Sequence, residues 1–181
     1  MKRTIAIIIT VIMLFSTVSC GGSAVYEPVA STEEEARVVM IMSIDGESYD
    51  IRYELYRALF LEHREELDGG DVSRWNGDGS EELIARMDNL IVEYASKIFG
   101  TIHLAKTVGY DPYSSEADEK VAEYVRISVE GNGTTVSGYG SYDKYLDALR
   151  EMNLNYSVQD LMNLGILLED YSSLHFPDDS R

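Results

Sequence analysis

A single cysteine, Cys20, rules out any disulfide within one copy of this chain, so nothing covalent staples its fold. Basic residues are also scarce: 15 Lys and Arg stand against 32 Asp and Glu, a formal charge of −17. Such a surface is repelled by nucleic acid and by anionic lipid headgroups, which excludes a nucleic-acid role. Prolines number three and glycines 14, too few and too scattered for a low-complexity or disordered chain. No internal repeat is detectable.

Motifs for chemistry are equally sparse. The three histidines, His63, His103 and His175, are not spaced as ligands on one helix turn, and no H-E-x-x-H occurs. His63 sits beside Glu62 and Glu66 and reads as a solvated residue; His103 reads as a helix-surface residue. No G-x-S-x-G elbow is present. Gly133-x₄-Gly138 has Tyr139 where a phosphate loop needs lysine. Counting a calcium loop from Asp71 puts Trp75 at the fifth position and Asn76 where glycine is required. No metal, cofactor or catalytic residue is expected, and the chain reads as a non-enzyme.

What is there begins at the N-terminus. Met1-Lys2-Arg3 precedes an uncharged apolar run from Thr4 to Val18, and Cys20 follows before Gly21-Gly22-Ser23. That run is too short for a spanning helix of about 20 residues and has the form of a secretory signal. Thr17-Val18-Ser19-Cys20 resembles the lipobox of bacterial lipoproteins, with Thr17 where those usually carry an aliphatic residue. The resemblance implies a signal peptide 1–19 and a diacylglycerol-modified Cys20 as mature N-terminus, anchored in a membrane at its extracytoplasmic face. Two acyl chains suffice for stable anchoring where one does not. Ordinary secretion or an uncleaved anchor are the alternatives. Removing Lys2 and Arg3 leaves 13 basic against 32 acidic residues, a formal −19 on 162 residues. That length is enough for one domain with a real core.

Residues 20–37 are polar, carry Glu33-Glu34-Glu35 and Pro28, and read as a tether. Val38 to Ile44 is an apolar run of strand length; Asp45-Gly46 is a turn pair, and Glu47-Ser48-Tyr49 a short returning strand. Asp50 is placed to cap a helix from Ile51 to about Asp68. That helix has two apolar stripes, Ile51, Leu55, Ala58, Leu59 and, nearly opposite, Tyr53, Tyr56, Phe60, Leu67. A helix apolar on two sides is either sandwiched in a core or keeps one side for a partner. Tyr53, Tyr56 and Phe60 are therefore the candidate residues of a binding surface, large in contact area and low in side-chain entropy.

A glycine-rich loop leads to Ser80, where a long helix runs to about Thr107 with Leu83, Met87, Leu90, Ile91, Tyr94, Ile98, Ile102 and Ala105 inward, and stops at Gly109. Ser115 is placed to cap a helix from Glu116 to Ser128, although Val125, Ile127 and Val129 also alternate like a strand that could turn at Gly131-Asn132-Gly133. Gly131 to Gly140 reads as a flexible loop. Ser141 opens a helix to about Met152. Ser157 and Asp160 have the spacing of a capping box before a last helix, Val158 to about Leu174. The expected fold is mainly α: about five helices with a short N-terminal strand or hairpin, over residues 38–176, with a tail 177–181.

The order of strand, Asp45-Gly46-Glu47 turn and helix over Val39–Tyr53, the helix end Ala105-Lys106-Thr107-Val108-Gly109, and the junction Tyr145-Leu146-x₇-Leu154-x₂-Ser157 resemble the N-terminal domain of SurA-type and PrsA-type chaperones. Asn153 stands where that family carries glycine. The resemblance implies a helical domain whose apolar surfaces bind unfolded or nascent exported polypeptides without ATP. It also implies a frequent neighbour, a parvulin-type prolyl isomerase domain, for which no segment is visible here. The alternatives are a scaffold lipoprotein holding one folded envelope partner, and a non-catalytic remnant of a peptidyl-prolyl isomerase.

Overall fold

The computed structural model describes residues 26–175, with side chains through Glu169. The signal segment 1–19, Cys20 and the tail 177–181 lie outside those residues. The architecture is mainly α. Strands β1 (Val38–Ile44) and β2 (Glu47–Arg52) form an antiparallel hairpin, followed by α1 (Tyr53–Asp68), a 3₁₀ turn (Val72–Trp75), α2 (Ser80–Thr107), α3 (Ser115–Glu130), α4 (Tyr142–Glu151) and α5 (Tyr156–His175).

The hairpin closes through a two-residue loop: Ile44 faces Glu47, and Asp45 and Gly46 both have positive φ, 48° and 86°. This is the primed turn whose twist matches that of paired strands. β2 runs past the predicted Tyr49 to Arg52, because Ile51 pairs with Met40 and is fully buried. Asp50 is thus a strand residue, not a helix cap. The cap it was expected to supply comes from elsewhere: the free N–H groups of Tyr53 and Glu54 donate to the carbonyls of Arg37 (2.8 Å) and Glu35 (3.1 Å). Backbone from the preceding segment does what a side chain does at most helix starts.

α2 is the axis of the fold. Its 28 residues span about 42 Å. Met87, Ile91, Ala95 and Ile102 are fully buried between Leu55, Ala58 and Leu59 of α1, Ala117 and Val121 of α3, and Val158, Leu164 and Leu168 of α5. Phe99 packs against Tyr49 of the hairpin with ring centres 5.3 Å apart. Each of these larger side chains contributes roughly 1.5–3 kcal/mol on leaving water. A second cluster joins Val125 and Val129 of α3 to Tyr145 and Leu149 of α4 and Tyr156 of α5.

Three local expectations change. Ser114, one residue earlier than predicted, caps α3 by accepting from Ala117 N–H, and the helix continues to Glu130, which removes the strand alternative. Val125 and Val129 of that stretch share one helix face against α4, so helical spacing wins over alternation. The 131–140 loop is tied down: Asn132 Oδ1 accepts from the N–H groups of Thr134, Thr135 and Val136, and Tyr139 and Gly140 donate back to Ser128 and Val129 of α3. Asn155, not Ser157, caps α5, its Oδ1 accepting from Val158 N–H at 2.9 Å. Asn153 has φ of 59°, so it supplies the left-handed conformation glycine usually gives at such a junction.

The segment read as a tether is, from Tyr26 onward, laid against the helices. Tyr26 stacks on Tyr142 at 5.1 Å and donates to Glu130, while Tyr142 donates to the Glu27 carbonyl. Thr32 and Glu35 form a reciprocal capping pair in a tight turn, which holds the Glu35 carboxyl below its ordinary range.

Candidate polypeptide-binding surface

The predicted binding residues of α1 are brought together on one side of the helix, and each is already engaged within the molecule. The Arg37 guanidinium lies over the Tyr53 ring at 5.5 Å. Tyr56 donates to Asp88 of α2 at 2.9 Å, and burial followed by that bond pushes its hydroxyl up to about 12. Phe60 packs on Trp75 with ring centres 4.9 Å apart. Trp75 is fixed in turn by donating from Nε1 to Asp68 at 2.7 Å, a carboxylate that also accepts from Gly70 N–H. These bonds hold Asp68 below the usual carboxylate range. The second stripe of α1 is a packing joint to α2 and the 3₁₀ turn; all three residues stay partly exposed.

The larger exposed apolar feature is β1. Met40, Met42 and Ile44 turn inward and pack on the core, while Val38, Val39 and Ile41 are exposed, Ile41 by 66 %. A one-residue register shift between Val38 and Met40 bulges the strand at its start. Ile44 and Glu47 flank the two-residue turn and so exchange ladder bonds, as do Met42 and Tyr49 two residues on. By that alternation the N–H and C=O groups of Ile41 and Ser43 point away from β2. Among the described residues, no other backbone or side-chain group bonds to them. Among the described residues the sheet has two strands, so β1 presents an open edge there.

The surroundings of this edge are acidic. Asp50 lies directly across from Ile41 on the same outer face and has no cationic partner among the described residues. At the turn, Glu47 accepts from Lys106 at 2.7 Å and from Tyr49 at 3.1 Å, which keeps its carboxyl low. His103 of α2 bridges the same turn, with Nε2 3.3 Å from Asp45 and Nδ1 3.1 Å from the Tyr49 hydroxyl. It is packed under the hairpin rather than standing on an open helix surface. Beside Met42, Ser96 of α2 donates to both the Met42 sulfur and the Val92 carbonyl; Val92 and Ser96 are exposed and form a rim to the strand.

His63 is also placed differently from its expected solvated position. It is 7 % exposed, stacked on Tyr94 at 4.5 Å, and among the described residues its Nε2 has no hydrogen-bond partner. Glu62 and Glu66 lie 3.8 Å away, beyond hydrogen-bond distance but within reach of an ion pair. Among the described residues no group of three or more His, Cys, Asp or Glu side chains could hold a metal ion. The His175 side chain and Cys20 lie outside what is described.

No family model matches this chain, and no characterised protein or solved structure is significantly similar to it. Among the described residues no helix is long and apolar enough to cross a membrane.

Proposed function

We propose that this chain is a lipid-anchored extracytoplasmic protein that holds non-native or extended polypeptides by apolar contact and releases them without ATP. The observation that carries this reading is the line of exposed apolar side chains, Val38, Val39 and Ile41, on a strand whose outer edge pairs with nothing among the described residues of an otherwise acidic protein. Large apolar groups on an open edge cost solubility and invite pairing, and strands without a partner to receive are usually blunted by lysine, proline or a covering loop. None of the outward positions on β1 from Val38 to Ser43 carries a charge or a proline.

The anchor at Cys20 belongs to the same reading. Only residues 21–25 separate the thiol from Tyr26, which stacks on Tyr142 of the domain. A diacylglycerol there would keep the domain close to the membrane from which exported chains emerge. Mass spectrometry of the mature N-terminus should find Cys20 carrying lipid; an unmodified Cys20 or an intact residue 1 removes the anchor.

Holding a chain requires no chemistry. Binding the unfolded form lowers its free concentration and with it the rate of aggregation, in proportion to the holder present. The purified protein should therefore suppress aggregation of a denatured client at near-equimolar ratio. Unchanged aggregation, with the protein shown folded by circular dichroism, contradicts the reading.

A further inference from the structure

We infer that β1 takes its client as an added antiparallel or parallel strand, and that the segment it selects alternates apolar and basic residues. This rests on the polypeptide-holding reading above and names its site and ligand.

The backbone argument comes first. Ile41 and Ser43 direct N–H and C=O groups to the open edge, and no described group satisfies them. An extended chain lying beside β1 at about 4.8 Å would complete that ladder. The ladder reads no sequence, which suits a holder of many clients.

The side chains supply the selection. On the outer face, Ile41 stands between the open edge and Asp50. A lysine on the added strand would lay its four-carbon stem over Ile41 and bring its ammonium toward Asp50, two strand spacings or about 10 Å from its own backbone. The next residue of the added strand faces the other way, onto the rim made by Met42, Ser96 and exposed Val92. That position favours an apolar side chain. Alternation of basic and apolar residues follows from the two faces.

Charge decides against a second copy of this chain as occupant. Each copy carries −17, so two edges brought together would also bring together Asp45, Glu47 and Asp50 of both hairpins. An extended cationic segment gains from the same field.

The test uses the full chain in detergent and a fluorescein-labelled nine-residue peptide alternating valine and lysine, followed by anisotropy. Binding is expected for this peptide and at least tenfold weaker for the valine–glutamate counterpart. Ile41→Lys should weaken binding at least tenfold. Ile84→Lys, the same charge change at an exposed apolar site on α2, should leave it unchanged. Of two peptides N-methylated at every lysine or at every valine, at least one should lose binding, because methylation removes the N–H groups of one strand edge. Equal weakening by the two lysine variants would reduce the effect to net charge and overturn the inference. So would undiminished binding of both methylated peptides, or a dimer that dissociates in Ile41→Lys. Aggregation assays on the same variants separate the two levels. If Ile41→Lys still suppresses aggregation, the strand-addition site is wrong and the holding function stands. If the unaltered chain suppresses none, the broader reading fails.

Discussion

The hydroxyl of Ser157 donates to Glu54 Oε1 at 2.9 Å, joining the first turn of α5 to the first turn of α1 across 103 residues of sequence. Glu54 is 7 % exposed, and its other oxygen accepts from Asn155 at 2.8 Å and from Ser31. One buried carboxylate therefore ties together the N-terminal segment, α1 and α5. Its place in the first turn of α1 also suits the positive end of the helix dipole.

Removing that carboxylate should loosen three segments together. Glu54→Ala leaves three donors without their acceptor, at a cost of about 1–3 kcal/mol. Urea unfolding followed by far-ultraviolet circular dichroism should show the midpoint falling. Ser157→Ala, which deletes one donor and leaves two bonds in place, should cost about 1 kcal/mol or less. Equal losses would mean that Glu54 acts through Ser157 alone.

Two aspartates should respond to pH with opposite signs. Asp68 is held below the ordinary carboxylate range by Trp75 Nε1–H and Gly70 N–H. A depressed carboxyl stabilises the fold above its unfolded value, and that contribution is lost as pH falls through the lowered folded value. Trp75 is the only tryptophan, so its emission reports the event directly. It should stay constant on acidification until below the usual aspartate range, then change; Asp68→Asn should abolish the change. Asp160 is pushed up by burial and then by Asp118. A raised carboxyl is a liability at neutral pH that fades as pH falls through its folded value. Asp160→Asn should therefore raise the melting temperature at neutral pH and have less effect in acid.

Two glycines predict opposite outcomes for one substitution. A Cβ on Gly138 would lie 2.2 Å from Gly131 N and 2.4 Å from Val129 O, both backbone atoms that cannot swing aside. Gly138→Ala should destabilise the 131–140 loop and its seat on α3 by about 1–3 kcal/mol. Gly100, inside α2, has nothing within 4 Å of the same added atom. Gly100→Ala should stabilise by about 0.5–1 kcal/mol, through helix propensity and the narrower unfolded ensemble. Thermal melts of the two variants check both directions.

Much of the fold is legible in the chain because its helices announce themselves locally. The α2 stripe from Leu83 to Ala105, the Ser141 cap of α4 and the Asp45-Gly46 turn each depend on neighbours within a few residues. The misplacements at Asp50 and Ser157 share a different cause. Both residues look like caps, but the carbonyls of Glu35 and Arg37 fold back to take the free N–H groups of α1, while Asn155 caps α5 and Ser157 turns to the Glu54 carboxylate of α1. Sequence spacing carries no sign of a contact 23 or 103 residues away. His63 is misread for a related reason: charged Glu62 and Glu66 flank it in sequence, while Tyr94 of another helix covers it.

The candidate surface was less legible than the fold. Tyr53, Tyr56 and Phe60 stand out by composition and spacing, yet Arg37, Asp88 and Trp75 already occupy them. β1 reads as a continuous apolar run, the pattern of a strand buried on both faces. Among the described residues one face only is covered, and the second strand closes one edge only. The signal that could have pointed to it is Ser43 together with Asp50, polar residues on the outer face of a hairpin too short to be enclosed.

The most direct test places a photo-reactive amino acid in the chain within living cells, once at Ile41 and once at Phe60, and identifies what each captures on illumination. A strand-edge holder predicts that position 41 captures a heterogeneous set of exported polypeptides and that position 60 captures few or none. Capture of a single folded partner at position 41, or capture of exported chains mainly at position 60, would contradict it.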